Sequence, residues 1–169
     1  MSLYRIAVRL KAPDPEAVTS MNAIHAMDIQ LPPVKLFRYF LWEFHLTDGD
    51  KGTVEEMAGH FTDIVNPNKH LWTFAERGVQ LPGQTDDLKW SGVVVSDIED
   101  STGENWTAIL KRRGFPVEKV STGVLWLFGY LQELDDSLVE KLVSDLSVST
   151  SRSAGLLSNP VFQEVRSWA

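Results

Sequence analysis

The chain states one pattern twice, and a duplicated unit narrows the possible folds more than composition does. Leu41-Trp42-Glu43-Phe44 recurs as Leu125-Trp126-Leu127-Phe128, 84 residues later, half the length of the 169-residue chain. Each copy is followed by a short helical pattern. Each helical pattern is followed by an Asn-Pro pair: Asn66-Pro67, closing Asp63-Ile64-Val65, and Asn159-Pro160, closing Leu156-Leu157-Ser158. The two Asn-Pro pairs lie 93 residues apart rather than 84. The surplus falls near Ser147–Gly155, small and polar, which reads as an exposed loop: an insertion without chemistry, or one that touches a phosphate or a partner.

The periodicities fill in the repeat. Tyr4, Ile6, Val8 and Leu10 alternate with polar or small residues, as in a half-buried strand. Asp14 followed by Pro15 is a helix start, and the spacing of Val18, Met21, Ile24 and His25 carries that helix to about Met27. Val34–Leu46 is β-rich and holds five aromatic residues; its length predicts two strands or one bent strand. Thr53-Val54-Glu55-Glu56 has the form of a capping box, and Val54, Met57, Ala58, Phe61, Ile64 and Val65 form one apolar helical face. His70–Phe74 is a last short strand. The second half repeats the order. Val93–Val95 is a strand, Trp106, Ile109 and Leu110 are a helix ended by Gly114, and Val117–Leu131 is a β-rich run with a hairpin expected at Gly123. A second capping box lies at Ser137–Glu140, and Val161–Val165 is the last strand.

Each half therefore reads β-α-β-β-α-β, an α+β class of two ferredoxin-like repeats with antiparallel sheets and helices on one face. The expected division is 1–76 and 89–169, joined by a linker at 77–88 that holds Gly78, Pro82 and Gly83. Two sheets with bare apolar faces would pack or pair edge to edge.

The net charge of −7 argues against nucleic acid as a partner. With no cysteine, thiolate chemistry and disulfides are excluded and a cytoplasmic location is expected. No apolar run is long enough to span a bilayer, and no signal peptide is expected ahead of the strand-like start.

The candidates for chemistry are few. All four histidines, His25, His45, His60 and His70, lie in the first half without H-x-H or H-x-x-x-H spacing, so no metal site is expected. The acids Asp97, Glu99, Asp100 and Glu104 precede a helix and read as a solvated, capping cluster. Asn66-Pro67-Asn68-Lys69-His70 offers an orienting Asn68 and a proton-transferring His70. Because only Asn-Pro recurs, the shared part reads as a helix stop. Trp42 and Trp126 occupy matching strand positions, as core or pseudo-symmetric interface residues would. No glycine-rich phosphate loop or G-x-S-x-G nucleophile motif is present.

These motifs resemble the small PurS subunit of phosphoribosylformylglycinamidine synthase. Ala23-Ile24-His25-Ala26-Met27 is similar to that family's first helix, Gly114-Phe115-Pro116-Val117 to the end of that helix, and Leu156–Glu164 to its closing L-L-x-N-P-V-I-E. The chain is similar to a tandem pair of such subunits over nearly its whole length. The resemblance implies a bridging subunit in purine biosynthesis. Without catalytic residues or cofactor of its own, it would join the glutaminase and large synthetase subunits of an ATP- and glutamine-dependent amidine-forming complex. It also implies self-association, a dimer of tandem chains. The family's basic V-R-x-G-K-like hairpin is missing: Val120-Ser121-Thr122-Gly123-Val124 keeps its valine and glycine. Leu36-Phe37-Arg38-Tyr39-Phe40 keeps neither, leaving Arg38 as the basic candidate there. A divergent paralogue with another partner would show this departure. The alternative class is a small-molecule enzyme or ligand-sensing module on a tandem ferredoxin-like α+β barrel, whose pocket His25, His70, Trp72 or Asn66 would face.

Overall fold

Regular alternation and short capped helices build an α+β protein with four helices and one six-stranded antiparallel sheet, seen here in a computed structural model that describes residues 1–147 and 157–168. The elements run β1 (Ser2–Leu10), α1 (Pro15–Ala26), β2 (Lys35–Leu46), α2 (Lys51–His60), β3 (His70–Phe74), β4 (Leu88–Asp97), α3 (Ser101–Arg112), β5 (Val117–Leu131), α4 (Asp136–Ser147) and β6 (Gln163–Trp168). Strand order is β3-β1-β2-β5-β4-β6. Each half is thus β-α-β-α-β, its βαβ units consistent with ferredoxin-like repeats. Most of the expected Ser147–Gly155 loop, and Leu156, lie outside the described residues.

The strand count differs from the expected β-α-β-β-α-β because each long aromatic run is one strand. β2 is 12 residues and β5 is 15. No hairpin forms at Gly123, which is absent from the described glycines with positive φ. The strand runs unbroken through it, and Trp126, Phe128 and Tyr130 beyond it keep a period of two into one core.

The helix starts are acidic caps. Asp14 accepts from the Glu16 N–H at 2.9 Å, with Pro15 as the first helical residue. Asp100 accepts from the Gly103 N–H at 2.8 Å. The caps stand ahead of the expected Thr53 and Ser137, by three residues at Asp50 and by two at Asp135. Asp50 caps α2 reciprocally with Thr53, and Asp135 accepts from the backbone N–H and hydroxyl of Ser137. A carboxylate at that place accepts a charge-assisted bond and faces the positive helix end, so it outcompetes a hydroxyl. α2 ends at His60, sooner than the apolar spacing predicts; Ile64 and Val65 are buried in the turn that follows.

Packing divides the chain differently from the repeat. One compact unit holds residues 1–12, 40–82 and 99–123; the other holds 13–39, 83–98 and 124–169. In the first unit, Ile6, Val8, Trp42 and Phe44 share one strand face and pack with Val54 and Met57 of α2 and Trp106 and Leu110 of α3. Trp42 meets Trp106 edge to face at 5.9 Å, a geometry worth about 0.5–1.5 kcal/mol beyond the area buried. In the second unit, Leu36, Val93, Val95, Trp126, Phe128 and Tyr130 pack with Ala17 and Ile24 of α1 and Val139, Val143 and Leu146 of α4. Each unit therefore takes one helix from each half of the sequence.

The opposite strand faces, expected to be bare, hold buried residues: Ala7 and Leu41 in the first unit, Tyr39, Val94, Leu125 and Leu127 in the second. The connector is anchored on that side. In the first unit Leu81 is buried and Arg9 Nη1 donates to the Pro82 carbonyl at 3.1 Å. In the second, Trp90 stacks on Phe37 and its Nε1 donates to the Thr85 carbonyl at 2.7 Å. Gly129 lies beneath that indole; a Cβ there would come within 2.9 Å of the ring.

Candidate functional site

The recurring Asn-Pro turns carry the best sequence candidates, and both turns close in the same way. The Asn66 carbonyl accepts from the N–H groups of Lys69 (3.0 Å) and His70 (2.8 Å), and its side-chain oxygen accepts from the Asn68 N–H at 3.0 Å. The Asn159 carbonyl accepts from Phe162 (3.1 Å) and Gln163 (2.8 Å), and its side-chain oxygen accepts from the Val161 N–H at 3.1 Å. Neither asparagine has a positive φ, and neither ends a helix. The shared role is a backbone one, an Asx turn leading into an edge strand, and not the helix stop that the spacing suggests.

The fifth residue of each turn completes it. His70 Nδ1 accepts from the Asn66 N–H at 2.9 Å, and Gln163 Oε1 accepts from the Asn159 N–H at 3.0 Å. An imidazole accepting at Nδ1 is neutral and carries its proton on Nε2. Burial, and then the charge of neighbouring Lys69, hold the His70 pKa below the usual histidine value. Gln163 was legible as its counterpart, since both sit four residues after a recurring asparagine. Asn68 contributes its backbone N–H to the turn, and its side chain is exposed.

Arg38 occupies a different site, in the second packing unit. Its side chain is 11% exposed and donates to Asp14 at 3.1 Å and Glu16 at 3.0 Å, with the guanidinium 5.9 Å from the Trp126 ring centroid. Asp14 is 15% exposed and Glu16 67%, so Asp14 is the partner that matters. The arginine ties the α1 N-terminus to its own following strand. In the first packing unit Thr122, 84 residues on, does the equivalent for α3: its N–H and hydroxyl both donate to Asp100, each at 2.6 Å. The acid cluster is thereby divided among structural tasks, with Asp97 accepting from Gln163 Nε2 at 2.9 Å.

His25 is exposed in the last turn of α1. His60 ends α2 against Phe61. Trp42 and Trp126 are both buried core residues. Among the described residues, no group of three or more His, Asp or Glu side chains could hold a metal ion. Among them, too, no helix is long and apolar enough to cross a membrane.

Sequence reasoning missed one cleft. In the second packing unit, β4, α4 and β6 enclose about 260 Å³, bordered by Ser91, Val93, Glu140, Ser144, Ser167 and Trp168. Its polar groups come from three distant segments, and no local motif joins them.

No protein-family model matches the chain, and no curated protein matches it in sequence.

Proposed function

We propose that this chain is a PurS-like assembly subunit, or a divergent paralogue of one. It would bridge the glutaminase and large synthetase subunits of a phosphoribosylformylglycinamidine synthase complex in the cytoplasm, self-associating as tandem chains. The carrying observation is the equivalence of His70 and Gln163. The residue best suited to proton transfer makes the same turn-closing bond as a glutamine that cannot transfer protons at neutral pH. What the two halves share is thus turn closure, helix capping and core packing, as in a duplicated scaffold. The test is co-purification from cells expressing both other subunits. Recovery of either subunit supports the reading; recovery of neither, with both expressed, sinks it.

A second reading is favoured by the 260 Å³ cleft. A pocket offering one carboxylate, three hydroxyls and an indole suits a small polar ligand with an apolar side. That would make the chain a ligand-sensing module or small-molecule enzyme on the same fold. Glu140→Gln with Ser144→Ala discriminates: under this reading ligand-induced thermal stabilisation is lost while co-purification is unaffected.

A further inference from the structure

The two packing units fill one place in the repeat with opposite chemistry, and strand register fixes the equivalence. Ile6 is paired with Trp42 of β2 and Phe74 of β3; Val93 is paired with Trp126 of β5 and Ser167 of β6. Tyr4 pairs with Phe44 as Ser91 pairs with Phe128. Val8 pairs with Trp72 as Val95 pairs with Val165. Tyr4, Trp72 and Phe74 of the first unit therefore correspond to Ser91, Val165 and Ser167 of the second. Where one unit sets three aromatic side chains on the helix-side face, the other sets two serines and a valine.

The cleft is the consequence. In the first unit Tyr4, Trp72 and Phe74 pack against the core, and Trp72 meets Phe74 edge to face at 5.5 Å. Lys51, the first residue of α2, places its ammonium 5.2 Å from the Phe74 ring centre. In the second unit the corresponding space is the 260 Å³ cleft bordered by Ser91, Val165 and Ser167. Losing rings from a packed edge forfeits their burial, and a ligand ring regains it. Glu140 and Ser144, one helical turn apart on α4, form the other wall. Among the described residues, the side chains of Ser91, Ser167, Glu140 and Ser144 make no hydrogen bond or ion pair with one another or with a neighbour. Their polar atoms are available to a ligand.

Charge narrows the ligand. Glu140 is the sole charged residue among the described ones that line the cleft. Lys89, two residues from Ser91 on β4, is already committed: it donates to the Leu134 carbonyl at 2.5 Å and to Asp136 at 2.6 Å. We infer that the cleft binds a single planar ring bearing a cationic nitrogen group, such as an arylamidine or a ring-bearing amine. The ring takes the place that Tyr4 and Phe74 fill in the first unit, against Val93, Val143 and Val165. The cationic group faces the Glu140 carboxylate in a charge-assisted hydrogen bond. The serine hydroxyls accept from its remaining N–H groups, as the few placed polar groups of an apolar pocket do.

The inference rests on the second, ligand-binding reading and names the ligand class for that same cleft. Its test is calorimetric titration of the full chain with three probes that share a ring and differ in charge: benzamidine, benzyl alcohol and benzoate. Benzamidine should bind, benzyl alcohol more weakly, and benzoate not at all. Glu140→Gln, an exposed change on α4, should weaken benzamidine about tenfold or more. Ser167→Phe installs the ring that the first unit carries at this position and should abolish binding, with circular dichroism verifying the fold. Benzoate or benzyl alcohol binding as tightly as benzamidine overturns the cationic class and leaves the ligand-binding reading standing. Benzamidine binding that survives Glu140→Gln unchanged overturns the assigned role of the carboxylate and with it the proposal. Binding that survives in a folded Ser167→Phe protein overturns the location. Binding of none of the three probes overturns both the proposal and the reading beneath it.

Discussion

The two packing units solve one problem by different chemistry. Each must fasten a helix N-terminus, capped by an aspartate, to the strand that follows it in sequence. The second unit uses a mostly buried guanidinium, Arg38 to Asp14, braced near Trp126. The first uses a hydroxyl and a backbone N–H, Thr122 to Asp100. A charge pair away from water carries a desolvation cost on both sides, so removing one partner leaves the other's cost uncompensated. A hydroxyl–carboxylate bond loses less when broken, because no second charge was taken out of water to make it. The same position of a duplicated strand can thus carry two interactions of unequal fragility.

The largest expected effect tests that inequality. Arg38→Met keeps the aliphatic volume and leaves the mostly buried Asp14 without its countercharge; urea unfolding should show a loss of about 3 kcal/mol. Adding Asp14→Asn, which still caps α1, should recover most of it. Thr122→Val in the other unit should cost about 2 kcal/mol. Equal losses at the two sites would dissolve the distinction.

A smaller effect separates the two Asn-Pro turns. His70 must be neutral to accept from Asn66, and its pKa is lowered in the folded protein. Between the folded and unfolded pKa the unfolded chain binds more protons, so stability rises with pH across that window. The contribution is complete above about pH 6.5, the unfolded value, and is lost as pH falls through the lowered folded one. His70→Gln should flatten this slope and leave stability at neutral pH nearly unchanged. Gln163→His should introduce the slope in the other turn. Denaturation midpoints from pH 5 to 8 measure both.

The smallest effect concerns a core position. Tyr130 is fully buried, its hydroxyl has no hydrogen-bond partner among the described residues, and burial pushes its pKa up. The matching position in the first half is Leu46, also fully buried. Tyr130→Phe should be neutral or stabilise by up to about 1 kcal/mol. It should also remove a loss of stability that sets in above about pH 10, where the unfolded tyrosine ionises and the folded one resists. A clear destabilisation by Tyr130→Phe would mean that the hydroxyl has a partner.

Much of the fold was legible. Asp14-Pro15, Gly114 and the alternation from Tyr4 to Leu10 each act through their immediate neighbours, and the elements they mark stand where the residues put them. The strand starting at His70 does too. Less of the candidate site could be read. His70 and Asn68 look catalytic as residue types, and only the hydrogen bond to Asn66 assigns the imidazole to turn closure. Arg38 looked like a remnant of a basic surface until Asp14 and Trp126 were found around it.

The sequence by itself determined the repeat, the periods of strand and helix, and the acidic starts of the helices, because these depend on backbone geometry over a few residues. The tertiary structure alone decided that β2 and β5 are single long strands, that each packing unit takes a helix from each half, and what Arg38 and His70 touch. Those outcomes depend on contacts between residues far apart in the chain, and local propensity has no term for them.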